Sequence, residues 1–280
     1  MGASNIIKLS SPATHEYWEV PILFEDEHLL ALDKPAGLLT SPDRQDLKRP
    51  SLIQLLHGCI ERGVPWVSQR SLSYLMHAHR LDFEASGVLI LAKDKPTLLN
   101  LVAQFASEKP NQIFAALVRG VAAPEQSEFK TEAKLAPNPL QMGLVRIDPK
   151  EGKRARTEFT VRERFQGYML MECRPLTSRP HQLRAHLKHV GFKLVGDEFY
   201  GGPPLLLSTL KSDFHLKFGH TERPLIGRVA LHAEQVTISH PVTGAETKIS
   251  SPWPKDFAVS VKYLRRYAPG TGSPDRNMAD

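Results

Sequence analysis

Cysteine is scarce in this 280-residue chain, with Cys59 and Cys173 the only two. Two thiols cannot staple a disulfide framework or fill a cysteine-only zinc site. No apolar stretch approaches the length of about 20 residues needed to span a bilayer. Met1 to Ser11 lack a basic start followed by an apolar run, so no secretory leader is expected and a reducing cytoplasm is the default compartment. Neither a phosphate-cradling GxxxxGK[ST] loop nor a dinucleotide glycine fingerprint is present, which disfavours nucleotide-cofactor enzymes. There is no internal repeat and no low-complexity core.

What is present is an ordinary globular composition, 41% hydrophobic and 24% charged. The length suits one large domain or two small ones. The net charge of +6 is localised: Lys150 to Lys193 hold eleven Lys and Arg against four Glu, a net of +7. Such a local basic field suits a polyanion, nucleic acid above all, although a solvated, ion-paired face would look the same.

Residues 1–18 read as a loose N-terminal extension, and the polar tail 268–280 as disordered. Trp18 to Leu32 reads as short strands broken at Glu25-Asp26-Glu27, followed by a turn at Lys34-Pro35-Ala36-Gly37. Leucines at helical spacing predict a helix over Ser51 to Gly63. The apolar run Val88 to Ala92 predicts a strand buried on both faces, and Asp94 caps a following helix. Further strands are expected at Ile113 to Val118, Arg156 to Arg164, Tyr168 to Arg174, Val229 to Ser239 and Glu246 to Ser250. A helix should start near Ser178 and Pro180 and stop at Gly191, with a long connection over Gly201 to Arg228. Many strands and few helices, without βαβ alternation, predict an α+β fold: a large mixed, mainly antiparallel sheet with flanking helices and loops.

Two places could hold chemistry. His79-Arg80-Leu81-Asp82 stands just before the buried strand, where a rigid sheet rim can aim a carboxylate. The alternative is an Asp that caps a turn and pairs with Arg80. In the helix after Ser178, Leu183, Leu187 and Val190 form one stripe and His181, Arg184 and Lys188 another. An outward basic stripe suits phosphate contacts, and so does any amphipathic surface helix. A metal set drawn from His77, His79, His181, His186, His189 and Asp197 lacks the i, i+4 spacing of a zinc helix. Asp82 with Glu84 as a glycosidase pair, and Ser208 with Lys211 as a serine–lysine pair, are weaker still.

These blocks together resemble the RluA-type pseudouridine synthases. The resemblance rests on His79-Arg80-Leu81-Asp82 with Ser86 to Lys93, and on Phe24 to Gly37. It extends through Leu176 to Leu187 with Val195-Gly196-Asp197, and through Leu231-His232-Ala233 with His240 to Gly244. It implies an RNA-modifying isomerase that needs no cofactor and no metal. The enzyme would flip a uridine of a tRNA or rRNA stem-loop out of its stack, break N1–C1′ and rejoin the base through C5. Asp82 matches the essential aspartate, acting as nucleophile or base. Arg80 matches the arginine that fills the gap left by the flipped base. Arg184 matches the basic partner of the aspartate, and Leu183 a residue lining the base pocket. His181 and Lys188 join as RNA contacts.

The chain departs from the family where a tyrosine stacks on the target base. Phe114 stands there, so stacking survives but a phenol proton transfer does not. Gln112, Ala85, Ser178 and Pro180 also differ from the family pattern. The resemblance implies one catalytic domain over residues 19–267; eighteen residues before it are too few for the S4-type RNA-binding domain of some relatives, and a cytoplasmic monomer without membrane contact is expected. The alternative is a non-catalytic RNA-binding relative of the same fold.

Overall fold

The computed structural model describes residues 5–270 apart from 44, 45, 47, 124 and 218; most of the expected disordered tail lies outside the described residues. In chain order the strands and helices are β1 (Ile6–Ser11), β2 (Glu16–Glu25), β3 (Leu29–Lys34), α1 (Leu52–Glu61), α2 (Pro65–Ser68), β4 (Met76–His77), β5 (Ser86–Ala92), α3 (Lys95–Ala106), β6 (Asn111–Arg119), β7 (Glu128–Thr131), β8 (Leu135–Pro137), β9 (Val145–Ile147), β10 (Thr157–Phe165), β11 (Tyr168–Pro175), α4 (Gln182–His189), β12 (Lys193–Leu194), β13 (Leu231–Ser239), β14 (Glu246–Ser250) and α5 (Lys255–Tyr267). This is the α+β architecture expected, with a large, mainly antiparallel sheet. The chain divides into two compact units, one of Met1–Ile113 with His232–Pro252 and one of Phe114–Leu231 with Trp253–Asp280.

In the first unit the strand order is β1-β2-β3-β5-β13, with β4 on β5 and β14 on β13. Every residue of β5 is buried, as its unbroken apolar run predicts. It pairs antiparallel with β3 and parallel with β13, where His232 faces Ser86 and Ala233 faces Gly87. Gly87 has φ +115°, and a Cβ there would sit 2.2 Å from the Ala233 carbonyl oxygen, so only glycine lets β13 approach so closely. Asp94 caps α3 by accepting from the Thr97 amide at 2.7 Å. Leu98, Leu101 and Phe105 of α3 pack on Leu29, Val88 and Ile90.

The second unit orders its strands β6-β11-β10-β7, with β12 on β6, and carries the separate hairpin β8–β9. Ala115 and Leu117 of β6 face a core completed by Phe257, Val261 and Leu264 of α5. Strand alternation places Phe114 on the other face.

Several expectations need correction. Residues 6–18 are not a loose extension: β1 pairs antiparallel with β2, burying Ile7 and Leu9. Helix α5 and strands β7 to β9 were not anticipated. Helix α4 begins at Gln182, four residues after Ser178, with His181 as N-cap in the left-handed region at φ 48°.

Candidate functional site

In the first unit, the segment around Asp82 is tied down on both sides by backbone contacts. The Leu81 amide donates to Thr40 Oγ1 at 3.2 Å, and the Thr40 hydroxyl donates back to the Leu81 carbonyl at 3.0 Å. The Gly37 amide donates to the Phe83 carbonyl at 2.8 Å. The Lys34 ammonium, 0% exposed, donates to the Ala85 carbonyl at 2.9 Å and to the Pro35 carbonyl at 2.8 Å. Arg49 sits over the Phe83 ring, 4.7 Å from its centroid. The turn at Lys34 to Gly37 therefore holds the aspartate's backbone, and Asp82 itself is partly exposed. Arg80 is exposed and forms no ion pair with Asp82, so the simple structural alternative for this aspartate is not what the fold shows.

Thr40 was not singled out by sequence, and its contact with Leu81 spans 41 residues. Thr40→Val keeps the shape but removes both hydrogen bonds. Denaturant unfolding should show a loss of about 1–3 kcal/mol, because two buried backbone groups lose their partner. Thr40→Ser should keep most of that stability. Equal stability of the valine and wild-type proteins would show that this clamp contributes nothing.

The two histidines before Asp82 are structural. His79 accepts the Ile90 amide proton at 3.1 Å and stacks on Phe105 with centroids 4.6 Å apart. Burial pushes its pKa down to about 3, so it stays neutral. His77 lies 2.7 Å from the Ser41 hydroxyl, and burial followed by the Arg80 charge holds it below the usual histidine range. On the following strand Ser86 meets His232 Nδ1 at 2.9 Å.

In the second unit α4 is buried on most of its circumference, which overturns the outward basic stripe. Arg184 is 1% exposed and its carboxylate partner Asp197 0%. Nε donates to Oδ2 and Nη2 to Oδ1, both at 2.7 Å. The bidentate carboxylate partner of Arg184 is thus Asp197, whereas the resemblance names Asp82 as the carboxylate that it serves. The guanidinium also lies over Tyr200, 5.0 Å from the ring centroid. The Tyr200 hydroxyl accepts from the Val145 amide at 3.0 Å and meets His181 Nδ1 at 3.1 Å. A Cβ on Gly202 would fall 1.7 Å from the Leu194 carbonyl oxygen, so glycine lets the chain fold back and bring Asp197 to Arg184.

The remaining candidates separate cleanly. Leu183 is buried beside Arg184, whereas Lys188 and His189 are exposed at the helix C-terminus, where the dipole favours cations. His186 is no ligand: its Nε2 donates to the Ala133 carbonyl at 2.8 Å and its Nδ1 accepts from Thr157 at 2.8 Å, while burial lowers its pKa. Phe114 is 7% exposed, in register with Cys173. Lys211 lies 3.4 Å from Asp213, and the Ser208 amide bonds Glu222, so that serine and lysine have other partners. One charge of the basic excess is also internal, since Arg184 is buried against Asp197, which lies outside the segment.

Residues 28–189, which include Asp82, Phe114 and Arg184, match the RNA pseudouridylate synthase family. Ribosomal large subunit pseudouridine synthase D of Pseudomonas aeruginosa is 32% identical over 273 residues, 95% of this chain and 79% of that protein. Ribosomal large subunit pseudouridine synthase C of Salmonella typhi is 33% identical over 250 residues, 88% of this chain and 70% of that protein. Among solved structures, human RNA pseudouridylate synthase domain containing 4 has the same fold. Its TM-score is 0.67 at 24% identity, covering 87% of this chain and 92% of that one.

Proposed function

Because the chain belongs to the RNA pseudouridylate synthase family, we propose that it isomerises particular uridines of large-subunit ribosomal RNA to pseudouridine, with Asp82 as the reacting carboxylate. The names of its relatives point to ribosomal rather than transfer RNA. The observation that carries the assignment of Asp82 is its setting. A partly exposed carboxylate stands on a backbone clamped at Leu81, Phe83 and Ala85. Rigid placement of a reactive group is what a carbon-centred rearrangement requires.

In this reading the target uridine leaves its stack, since the reacting bond is inaccessible inside one. Asp82 acts on the ribosyl framework as nucleophile or base while N1–C1′ breaks. The base turns, C5–C1′ forms, and the C5 proton is lost as N1 gains one, so nothing is consumed. Arg80, exposed and two residues away, would fill the vacated stack. Arg184, oriented by Asp197, and Leu183 would serve the flipped base. His181 and Lys188 would contact the RNA. The chain would work as a monomer in the cytoplasm.

The direct test is tritium release from RNA carrying 5-tritiated uridine. Release by the wild-type chain is the expected result, and RNA binding without release would leave a non-catalytic relative. Phe114 gives a second check. Phe114→Tyr should keep activity, and Phe114→Ala should lose roughly 1–3 kcal/mol of base stacking, seen as weaker substrate engagement and slower release. Full activity in the alanine variant would place this ring in the core alone.

A further inference from the structure

We infer that the cleft between the end of α4 and the β8–β9 hairpin holds a second, unpaired nucleotide of the RNA, distinct from the uridine that reacts. This rests on the RNA-acting reading above. The cleft encloses about 410 Å³, within the range of small-ligand sites. Its chemistry is that of a nucleotide site in three respects.

The floor is apolar and aromatic, formed by Leu144, Ala185 and the Tyr200 ring. At its edge Phe199 is 64% exposed, a large ring presented to solvent with a flat face available to a base. The rim is cationic: Lys188 and His189 line the cleft, as does Arg146, and no acidic side chain does. Arg146 shares its charge with Asp148 at 2.8 Å, so Lys188 carries most of the field that a phosphate would meet. Two side-chain amides, Asn138 and Gln141, face each other at 3.4 Å, a long hydrogen bond readily exchanged for the edge of a base.

Stacking face, phosphate cations and base-edge amides on one cleft are the elements of single-stranded RNA recognition. A protein partner would find the exposed Phe199 ring but would have little use for an acid-free cationic rim.

The experiment uses the full chain carrying Asp82→Asn, which removes turnover, and an in vitro transcript of large-subunit ribosomal RNA as probe. Phe199→Ala in that background should weaken transcript binding roughly 5- to 100-fold, as loss of a base stack does, and Phe199→Trp should bind like the parent. A transcript containing 4-thiouridine should crosslink on irradiation to peptides spanning 138–147 or 188–200, as read by mass spectrometry. Thermal melting should be unchanged in both variants, since an exposed ring supports little of the fold. If the parent binds the transcript but Phe199→Ala binds equally well and no crosslink maps to these peptides, the cleft is not a nucleotide site, and a protein partner becomes its better use. If the parent binds no ribosomal transcript, the inference falls together with the ribosomal reading.

Discussion

Asp82→Asn is expected to lower the single-turnover rate of pseudouridine formation by about a thousandfold or more, the effect of removing an essential acid–base or nucleophilic group. The substitution is nearly isosteric. The contacts that hold this segment use the backbone of Leu81, Phe83 and Ala85, not the Asp82 side chain. The fold should therefore persist, and melting should be close to wild type. RNA affinity should stay within a few fold (roughly), because it derives mainly from phosphate contacts that a carboxylate does not make. Tritium release, filter binding and thermal melting on one preparation decide the matter. Appreciable turnover by Asp82→Ala would end the assignment, since alanine can act neither as nucleophile nor as base.

The second large effect concerns the buried pair of Arg184 and Asp197. Asp197→Ala leaves a guanidinium 1% exposed without its bidentate partner, and Arg184→Ala leaves a carboxylate that is 0% exposed. Either should cost about 3–5 kcal/mol of stability in denaturant unfolding. Stability alone would not show a role in the reaction, so the informative variant is the double one. Arg184→Met with Asp197→Leu replaces the pair by apolar volume, which is often neutral or stabilising. It should restore stability yet leave tritium release low at saturating RNA if Arg184 has the proposed role, because no guanidinium remains to fill it. Arg184→Lys should recover release only in part, since an ammonium cannot make the paired contact to Asp197. A stable and fully active double variant would make the pair purely structural and remove Arg184 from the reaction.

Local signals carried much of the architecture. The apolar run at Val88 to Ala92, the Asp94 cap and the leucine spacing after Ser51 each describe a neighbourhood of a few residues, and each became the element expected. Helix α5 carries an equally local signal in Phe257, Ser260, Val261 and Leu264, all buried at helical spacing. The alternation of buried Ile7, Leu9 and Ser11 in β1 was legible too, yet a short strand earns its place only through a partner, here β2. The resemblance to a family supplied the order of the blocks and the roles proposed for Asp82 and Arg184.

By itself, then, the sequence determined the fold class, the central strand, the capped helices and the motif that bears Asp82, because these depend on periodicity, turn chemistry and short-range hydrogen bonds. Tertiary structure alone decided the status of α4. Periodicity could show that Arg184 and Leu183 lie on different faces, but not that both faces are covered. The charge could be buried because Asp197, 13 residues away, returns beside it to supply a matched carboxylate. It likewise decided that Thr40 and Lys34 hold the segment of Asp82, across 41 and 51 residues. Which distant donor reaches which carbonyl is set by how strands β3 and β5 pair, and no local pattern contains that information.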